Sequence, residues 1–212
     1  MPALTNQYDA LFARHAGRLP VAFLRALSYR ESGLNPNAAN PGGADAAKGI
    51  LQIVGTVRND YNQRHKTSWQ ADDLFDPDLN VTMAVETINA VINGYAKHPS
   101  KNLKLDWTNP EFVKLVVAGW NAGYSEAGGI GRVARYLEAN GIPVTHDNVV
   151  ANADNAGAVS YVGMPDRQQW ARSVADLYYQ QPDRFATSGT LGTVAKLGLV
   201  VFVGWGVYQL VK

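Results

Sequence analysis

Two helix-start signals, each followed by an apolar segment, constrain this chain most strongly toward an α-helical fold. In Asp76-Pro77, and again in Asn109-Pro110, an N-capping side chain precedes a proline that fits the first helical position. After Pro77, apolar residues recur at helical intervals, at Val81, Val85, Ile88, Ile92 and Tyr95. The segment after Pro110 is apolar as far as Gly119. The sequence therefore predicts two buried helices within a mostly α-helical body.

Shorter helices are expected on either side of these two. Residues 5–15 predict a first helix, and residues 20–32 predict a second one, bracketed by Pro20 and by Gly33 as the left-handed stop. Another short helix is expected over residues 133–139.

The remaining segments are less regular. A final helix is expected from Asp166 to the residues before Pro182. Residues 49–54 form an apolar run short enough for a strand or a buried turn. Residues 60–71 show no assignable pattern, and residues 141–165 predict an irregular connection.

The composition excludes several classes of protein. Nineteen basic and eighteen acidic residues give a formal net charge of +1, which creates no field to attract nucleic acid. The chain has no cysteine, so disulfides and thiolate metal sites are impossible. The histidines lack ligand spacing; they are His15, His65, His98 and His146. We therefore expect no nucleic-acid partner, no metal site and no cofactor.

The C-terminal segment differs sharply from the body. We expect one compact domain over residues 1–182, a linker of small and polar residues over 183–190, and an apolar helix over 191–211. This last segment carries one charge, Lys196, and has about the length that a bilayer core requires of a helix. It predicts a single membrane span, with a helix packed against partner subunits as the alternative. The first nine residues have no basic and no apolar region, which predicts no secretory signal peptide.

Glu31 is an acidic residue on the predicted inner face of its helix. Leu24 and Leu27 lie seven and four positions before it, so helical spacing places the carboxyl group on the same stripe as the leucines. Loss of water raises the pKa of a carboxyl group, and a raised pKa suits a general acid working near neutral pH. A solvated glutamate at a helix end is the alternative, since charged side chains are usually exposed.

Four sequence blocks, in order, resemble the motifs of the soluble lytic transglycosylase family, the lysozyme-like enzymes that cleave peptidoglycan. The blocks are ESGLNPNA at 31–38, KGILQ at 48–52, LFDPDLN at 74–80 and AGWNAG at 118–123. Each block alone is a weak signal, whereas the ordered set is specific. The resemblance implies a mostly α-helical, lysozyme-like domain of the goose-type or lytic transglycosylase kind, with a minimal β region.

The resemblance also implies a reaction that uses one carboxyl group. Glu31 would protonate the glycosidic oxygen between N-acetylmuramic acid and N-acetylglucosamine, and would then take the proton of the muramic acid 6-hydroxyl group. The 2-acetamido group of the substrate would stabilise the cationic centre, and the product would be a 1,6-anhydro sugar. The nearby acids have no comparable motif and are expected to be solvated; they are Asp45, Asp60, Asp72 and Asp73.

The same resemblance places three polar side chains at the substrate. Gln52 would reach into the sugar groove, and a buried amide bonded to nearby backbone is the alternative. Asn121 would contact the acetamido group, and an Asn that caps a helix end is the alternative. Ser32 directly follows the catalytic glutamate. We expect its hydroxyl group to form a local hydrogen bond that fixes the helix end rather than to contact sugar.

Three aromatic residues complete the expected site. Trp120 stands where the family usually has tyrosine, and Tyr124 follows closely. Aromatic faces stack on sugar rings, and core filling is the alternative for Trp120. Trp170 occupies the last-helix position that usually holds a tyrosine hydrogen-bonded to the catalytic glutamate. Asn40 stands where the family commonly has serine, and the loop from there to Gln52 is longer.

A wall-cleaving domain followed by one membrane span suggests delivery by a bacteriophage virion and action in the periplasm during entry. A bacterial tail-anchored enzyme or a secretion-machine component is the alternative. The expected partners are the peptidoglycan glycan strand, a membrane, and virion or envelope proteins. Two other functions stay open: a non-catalytic wall-binding or structural component with the same fold, and a goose-type muramidase that hydrolyses the same bond.

Overall fold

The computed structural model describes residues 4–158 and 165–184. The predicted apolar helix over 191–211 lies outside these ranges, as does most of the predicted linker. Within the described ranges, no helix combines the length and the apolar character that crossing a membrane requires.

Eight α-helices make up most of the described chain. They are α1 (Asp9–His15), α2 (Val21–Ser32), α3 (Gly55–His65), α4 (Pro77–Tyr95), α5 (Pro110–Ala122), α6 (Ile130–Ala139), α7 (His146–Asn152) and α8 (Pro165–Tyr179). Short 3-10 helices lie between them at Gly43–Asp45, Asp72–Phe75 and Lys101–Leu103. In place of strands, the described residues contain two isolated bridges, which join Lys48 to Ala39 and to Ile53. The predicted mostly α-helical fold is confirmed.

Local capping explains why the two main helices begin where the sequence predicts. The Asp76 carboxylate accepts a hydrogen bond from the Asp78 N–H at 2.9 Å, and Asn109 accepts one from the Glu111 N–H at 3.0 Å. Each bond satisfies an N–H that the first turn of a helix leaves without a partner. A proline follows each cap, as expected.

Two helices lie where the sequence pattern predicts none. α3 covers much of the unpatterned segment and buries only Gly55 and Arg58, so it has no apolar stripe that a pattern could reveal. α7 lies inside the predicted irregular connection and spans only about two turns. Its start is capped by the Thr145 hydroxyl, which accepts from the Asn148 N–H at 3.2 Å.

The core lies between α2, α4, α5 and α8. α5 packs against both α4 and α8, and α2 packs against α8. Phe23 of α2 is fully buried, and its ring lies 4.7 Å from the Trp107 ring and 6.2 Å from the Tyr178 ring between centroids. Large aromatic rings contribute much of the apolar area that a core buries. Apolar packing therefore fixes α2 relative to α5 and α8.

A buried arginine joins the first and last described helices. Arg25 of α2 is 4% exposed and donates hydrogen bonds to Asp9 of α1 and to Asp183, which follows α8. Gln181 also donates from Nε2 to the Ala22 carbonyl at 2.9 Å. A charge this deeply buried requires ionic partners, and Arg25 has two.

The apolar run over 49–54 forms a buried turn, which is one of its two predicted conformations. Asn80 of α4 is fully buried; its side chain accepts from the Leu51 N–H and donates to the carbonyls of Lys48 and Leu74, each at 2.9 Å. Gly49 has φ +81°, and a Cβ there would lie 2.2 Å from the Leu74 carbonyl oxygen. Asn80 thus attaches the turn to the first turn of α4.

We expect Asn80→Ala to lower the free energy of unfolding by about 2–4 kcal/mol, because it leaves buried backbone groups without partners. Urea denaturation measures this change. Ser28→Ala is the matched control, since the Ser28 hydroxyl is buried and has no hydrogen-bond partner among the described residues. It should change the stability by less than about 1 kcal/mol. Equal losses in both variants would contradict the role assigned to Asn80.

Candidate active site

The C-terminal end of α2 presents Glu31 to a cleft. Gly33 ends the helix with φ 67°, and its N–H donates to the Tyr29 carbonyl at 2.9 Å. The Ser32 hydroxyl donates to the Ile50 carbonyl at 2.8 Å, which attaches the helix end to the buried turn. The backbone of Glu31 is therefore fixed relative to the turn.

The cleft in front of Glu31 has a volume of about 340 Å³. It is lined by Glu31, Asn40, Ala47, Gln52, Ile53, Val54, Val57, Thr87, Trp120 and Asn121. A neighbouring pocket of about 450 Å³ shares the side chains of Val57, Thr87 and Trp120 and extends to Tyr124. Together the two form an elongated groove with both polar and apolar walls, which suits an extended ligand.

Trp120 of α5 is the hydrogen-bond partner of Glu31. Its indole Nε1–H donates to Oε1 of Glu31 at 2.6 Å. Trp170, the last-helix residue that the resemblance placed beside Glu31, donates no hydrogen bond to Glu31 among the described contacts. Trp170 lies half-buried on α8 against the core, and it is not among the residues that line the cleft. The reason is the packing of α5, whose last turn brings Trp120 to the end of α2.

Burial controls the charge of Glu31. Loss of water raises the pKa of Glu31 from 4.5 to about 7, while the hydrogen bond from Trp120 and the positive charge of Arg30 lower it. Burial outweighs both, because Arg30 is exposed and no described residue forms an ion pair with Glu31. The carboxyl group can therefore both donate and accept a proton near neutral pH.

No second acid lines the cleft among the described residues. The other acids considered from the sequence have their own partners outside it: Asp45 lies near Arg58, Asp60 pairs with Arg64, Asp72 pairs with Lys48, and Asp73 accepts from the Gln70 N–H. The described residues also contain no cluster of three His, Cys, Asp or Glu side chains that could hold a metal ion. Any proton transfer in the cleft therefore falls to Glu31.

Gln52 lines the cleft, but its amide nitrogen already donates hydrogen bonds to backbone carbonyls. Nε2 donates to the carbonyls of Gly49 and Ala38, at 2.8 and 3.2 Å. This is the arrangement of a buried amide bonded to nearby backbone, which the sequence left as an alternative. The carboxamide oxygen accepts no hydrogen bond from the described residues, so it is the atom that a ligand could reach.

Asn121 lines the cleft, but its amide nitrogen faces away from solvent. Its Nδ2 is buried and has no hydrogen-bond partner among the described residues. It lies in the last turn of α5 beside Trp120, so the two side chains enter the cleft from the same helix end. A buried amide nitrogen without a partner is costly to the folded state.

Ser32 and Tyr124 serve mainly to shape the site. Ser32 bonds locally, to Ile50 as described and by accepting from the Asn35 N–H at 3.0 Å. Tyr124 forms part of the groove wall, but its hydroxyl donates to Glu126 at 2.8 Å and its ring packs so closely on α4 that a Cβ on Gly94 would lie 2.4 Å from it. Neither residue has a free polar group aimed at Glu31.

Sequence reasoning did not identify Thr87 as a cleft residue. Thr87 lies on α4, and its hydroxyl donates to the Met83 carbonyl at 2.9 Å, as threonines in helices often do. Asn40, which stands where the family commonly has serine, also lines the cleft. Nothing in the spacing of Thr87 along α4 distinguishes it from a solvent-facing threonine.

Glu31→Gln should make the protein more stable at pH 8, by at most about 3.5 kcal/mol, because each unit of the change in pKa from 4.5 to about 7 corresponds to about 1.4 kcal/mol. The folded state holds the Glu31 proton more tightly than the unfolded state, so stability falls as pH rises from 4.5 to about 7. Below pH 4.5 the gain should disappear. Urea denaturation of both proteins from pH 4 to 8 measures this difference in the free energy of unfolding.

Glu111→Gln is the control of opposite sign for this experiment. The Glu111 carboxylate accepts from Lys114 Nζ at 2.8 Å and from the His146 N–H at 2.7 Å. Its removal should destabilise the protein at pH 8. A stability difference for Glu31→Gln that does not change with pH would contradict the effect of burial on Glu31.

Comparison with known proteins places this fold and cleft in context. No curated protein sequence matches the chain. Its structure is similar to that of the 70 kDa soluble lytic transglycosylase Slt70 from Escherichia coli, with a TM-score of 0.57 and 18% sequence identity. The match covers 83% of this chain and 24% of that protein, so this chain spans about a quarter of the length of Slt70. At this identity the similarity concerns the fold.

A protein-family model gives a more direct assignment. The model of the transglycosylase SLT domain matches residues 10–141, a range that includes Glu31, Gln52, Trp120 and Asn121. Because the match covers more than half of the chain, the chain belongs to the transglycosylase SLT domain family.

Proposed function

We propose that this protein is a lytic transglycosylase, which cleaves the β-1,4 bond between N-acetylmuramic acid and N-acetylglucosamine in peptidoglycan and forms a 1,6-anhydro end. The proposal is carried by Glu31, the one carboxyl group among the described residues that line the cleft, whose pKa is raised to about 7. Membership of the SLT family supports peptidoglycan as the substrate.

The first step breaks the glycosidic bond. Neutral Glu31 donates its proton to the glycosidic oxygen, and N-acetylglucosamine departs with a free hydroxyl group. The carbonyl oxygen of the neighbouring acetamido group shares the positive charge that develops at C1 of N-acetylmuramic acid. Asn121 lines the cleft with Glu31 and contacts this acetamido group, as the resemblance to the family implies.

The second step closes the anhydro ring. Ionised Glu31 accepts the proton of the 6-hydroxyl group while the hydroxyl oxygen attacks C1. Glu31 ends the cycle protonated, as it began, and no water is consumed. An inverting or retaining hydrolase instead uses two carboxyl groups, and the described cleft residues include one.

The location of the reaction is proposed from the substrate and the sequence. Peptidoglycan lies outside the bacterial inner membrane, so we propose action in the periplasm. The apolar segment over 191–211 supports attachment to a membrane. The combination of a wall-cleaving domain with such a segment is the basis for proposing delivery by a virion during entry. Both of these finer proposals rest on the sequence.

Purified peptidoglycan digested with the protein should release fragments with anhydro ends, each lighter by one water than the hydrolysed fragment. Mass spectrometry of the fragments distinguishes the two. Glu31→Gln should lower the rate by about 10²- to 10⁴-fold, since it removes the one acid and base among the described cleft residues. Asp72→Asn, which changes an exposed acid that lines neither the Glu31 cleft nor its neighbouring pockets, should retain the wild-type rate.

Two results would overturn the proposed reaction. Fragments with reducing ends would identify a muramidase that uses water. Intact peptidoglycan that nevertheless binds the protein would identify a wall-binding component.

The pH dependence of the wild-type enzyme should follow the acid form of Glu31. We expect kcat/KM to fall as pH rises through about 7, because the free enzyme must carry the proton that it donates. Initial rates on solubilised glycan strands between pH 5 and 9 measure this decline. A profile that stays flat between pH 6 and 8 would contradict the role of Glu31 as the acid.

A further inference from the structure

We propose that Trp120 is a positioning residue that places the transferable proton of Glu31 on Oε2, the carboxyl oxygen that Trp120 does not contact. The proposal rests on the proposed acid/base function of Glu31. It extends that function by assigning separate tasks to the two oxygens of one carboxyl group.

The location of the proton on Oε2 follows from the hydrogen-bonding chemistry of the indole group. Nε1 of Trp120 lies 2.6 Å from Oε1 of Glu31, and an indole N–H can donate a hydrogen bond but cannot accept one. In a neutral carboxyl group the carbonyl oxygen is a better acceptor than the hydroxyl oxygen. Oε1 is therefore the carbonyl oxygen of neutral Glu31, and the proton lies on Oε2. A phenol could donate or accept, so a tyrosine would leave the proton free to occupy either oxygen.

The position of Trp120 is set by helix packing. The preceding residue, Gly119, is buried where α5 crosses α4, and a Cβ on it would lie 2.4 Å from Cγ1 of Val91. The indole is half-buried against the core. The donor is therefore held in place before substrate arrives, as an interaction that must be preorganised requires.

Oε2 is left available for chemistry. No hydrogen bond joins Oε2 to any described residue, whereas Oε1 has its partner in Trp120. The same oxygen can then donate the proton to the glycosidic oxygen and later take the proton of the 6-hydroxyl group. Glu31 need not rotate between the two steps.

The bond from Trp120 also changes strength during the reaction. A hydrogen bond to an ionised acceptor is stronger than one between neutral groups. Glu31 is ionised between the two proton transfers. The hydrogen bond from Trp120 therefore stabilises this ionised intermediate more than it stabilises the resting state, in which Glu31 is neutral. An interaction that strengthens along the reaction raises kcat rather than substrate affinity.

Two variants of Trp120 test the assignment. Trp120→Phe keeps an aromatic ring without the donor, and replacement of Trp120 by benzothienylalanine changes only the N–H group into sulfur. Loss of the donor removes a bond that favours ionised Glu31, so the pKa of Glu31 should rise by about one pH unit. Carboxyl ¹³C NMR of labelled glutamate measures it directly. We expect kcat to fall by about 10- to 100-fold with little change in KM.

The matched control is Trp69→Phe, since Trp69 is 41% exposed and does not line the cleft. It should leave both the pKa of Glu31 and kcat unchanged. If Trp120→Phe does not fold, as judged by circular dichroism, the isosteric benzothienylalanine protein provides the same comparison.

An unchanged pKa of Glu31 in the benzothienylalanine protein would overturn the proposal, and so would a wild-type kcat. An increase in KM alone would also overturn it, because it would show that the ring only stacks on sugar. The NMR titration needs no turnover. Failure of the proposed function, seen as wild-type protein that releases no anhydro ends, is therefore distinguished from failure of the Trp120 assignment.

Discussion

The cleft depends on a carboxyl group that loses water at the end of a helix and receives one neutral hydrogen bond in return. Burial raises the pKa of Glu31 to about 7, against the opposing effects of Trp120 and Arg30. A cation in direct contact would favour the ionised form and remove the acid from the neutral range. The exposed position of Arg30 matters for the same reason, because it keeps this positive charge in water.

The scaffold holds this carboxyl group from two sides. The first is local: Gly33 ends α2, and Ser32 attaches that end to the turn that Asn80 fastens to α4. The second is the apolar core, which packs α5 against α4 and α8 and brings Trp120 to the end of α2. A half-buried acid without an ionic partner destabilises the folded state at high pH, and both sets of contacts must offset that cost.

The polar side chains of the groove divide into two groups with different tasks. Gln52 and Ser32 use their donors on the protein itself, so they shape the walls around the carboxyl group. Asn121 instead keeps a buried donor without a partner among the described residues, beside the one acid of the cleft. An unsatisfied buried amide is costly, so this wall of the cleft beside Glu31 is held at some cost in stability.

The sequence by itself determined the features that depend on neighbouring residues. Asp76-Pro77 and Asn109-Pro110 start α4 and α5 because capping involves only the first turn, and helical spacing from Leu24 and Leu27 turned Glu31 toward the cleft. The four ordered blocks further indicated the family, which the match over residues 10–141 confirms. Only the tertiary structure decided the partner of Glu31. Trp120 and Trp170 are both aromatic residues on buried helices, and which one meets the carboxyl group depends on how α5 and α8 cross α2, a long-range result of core packing that no local pattern encodes.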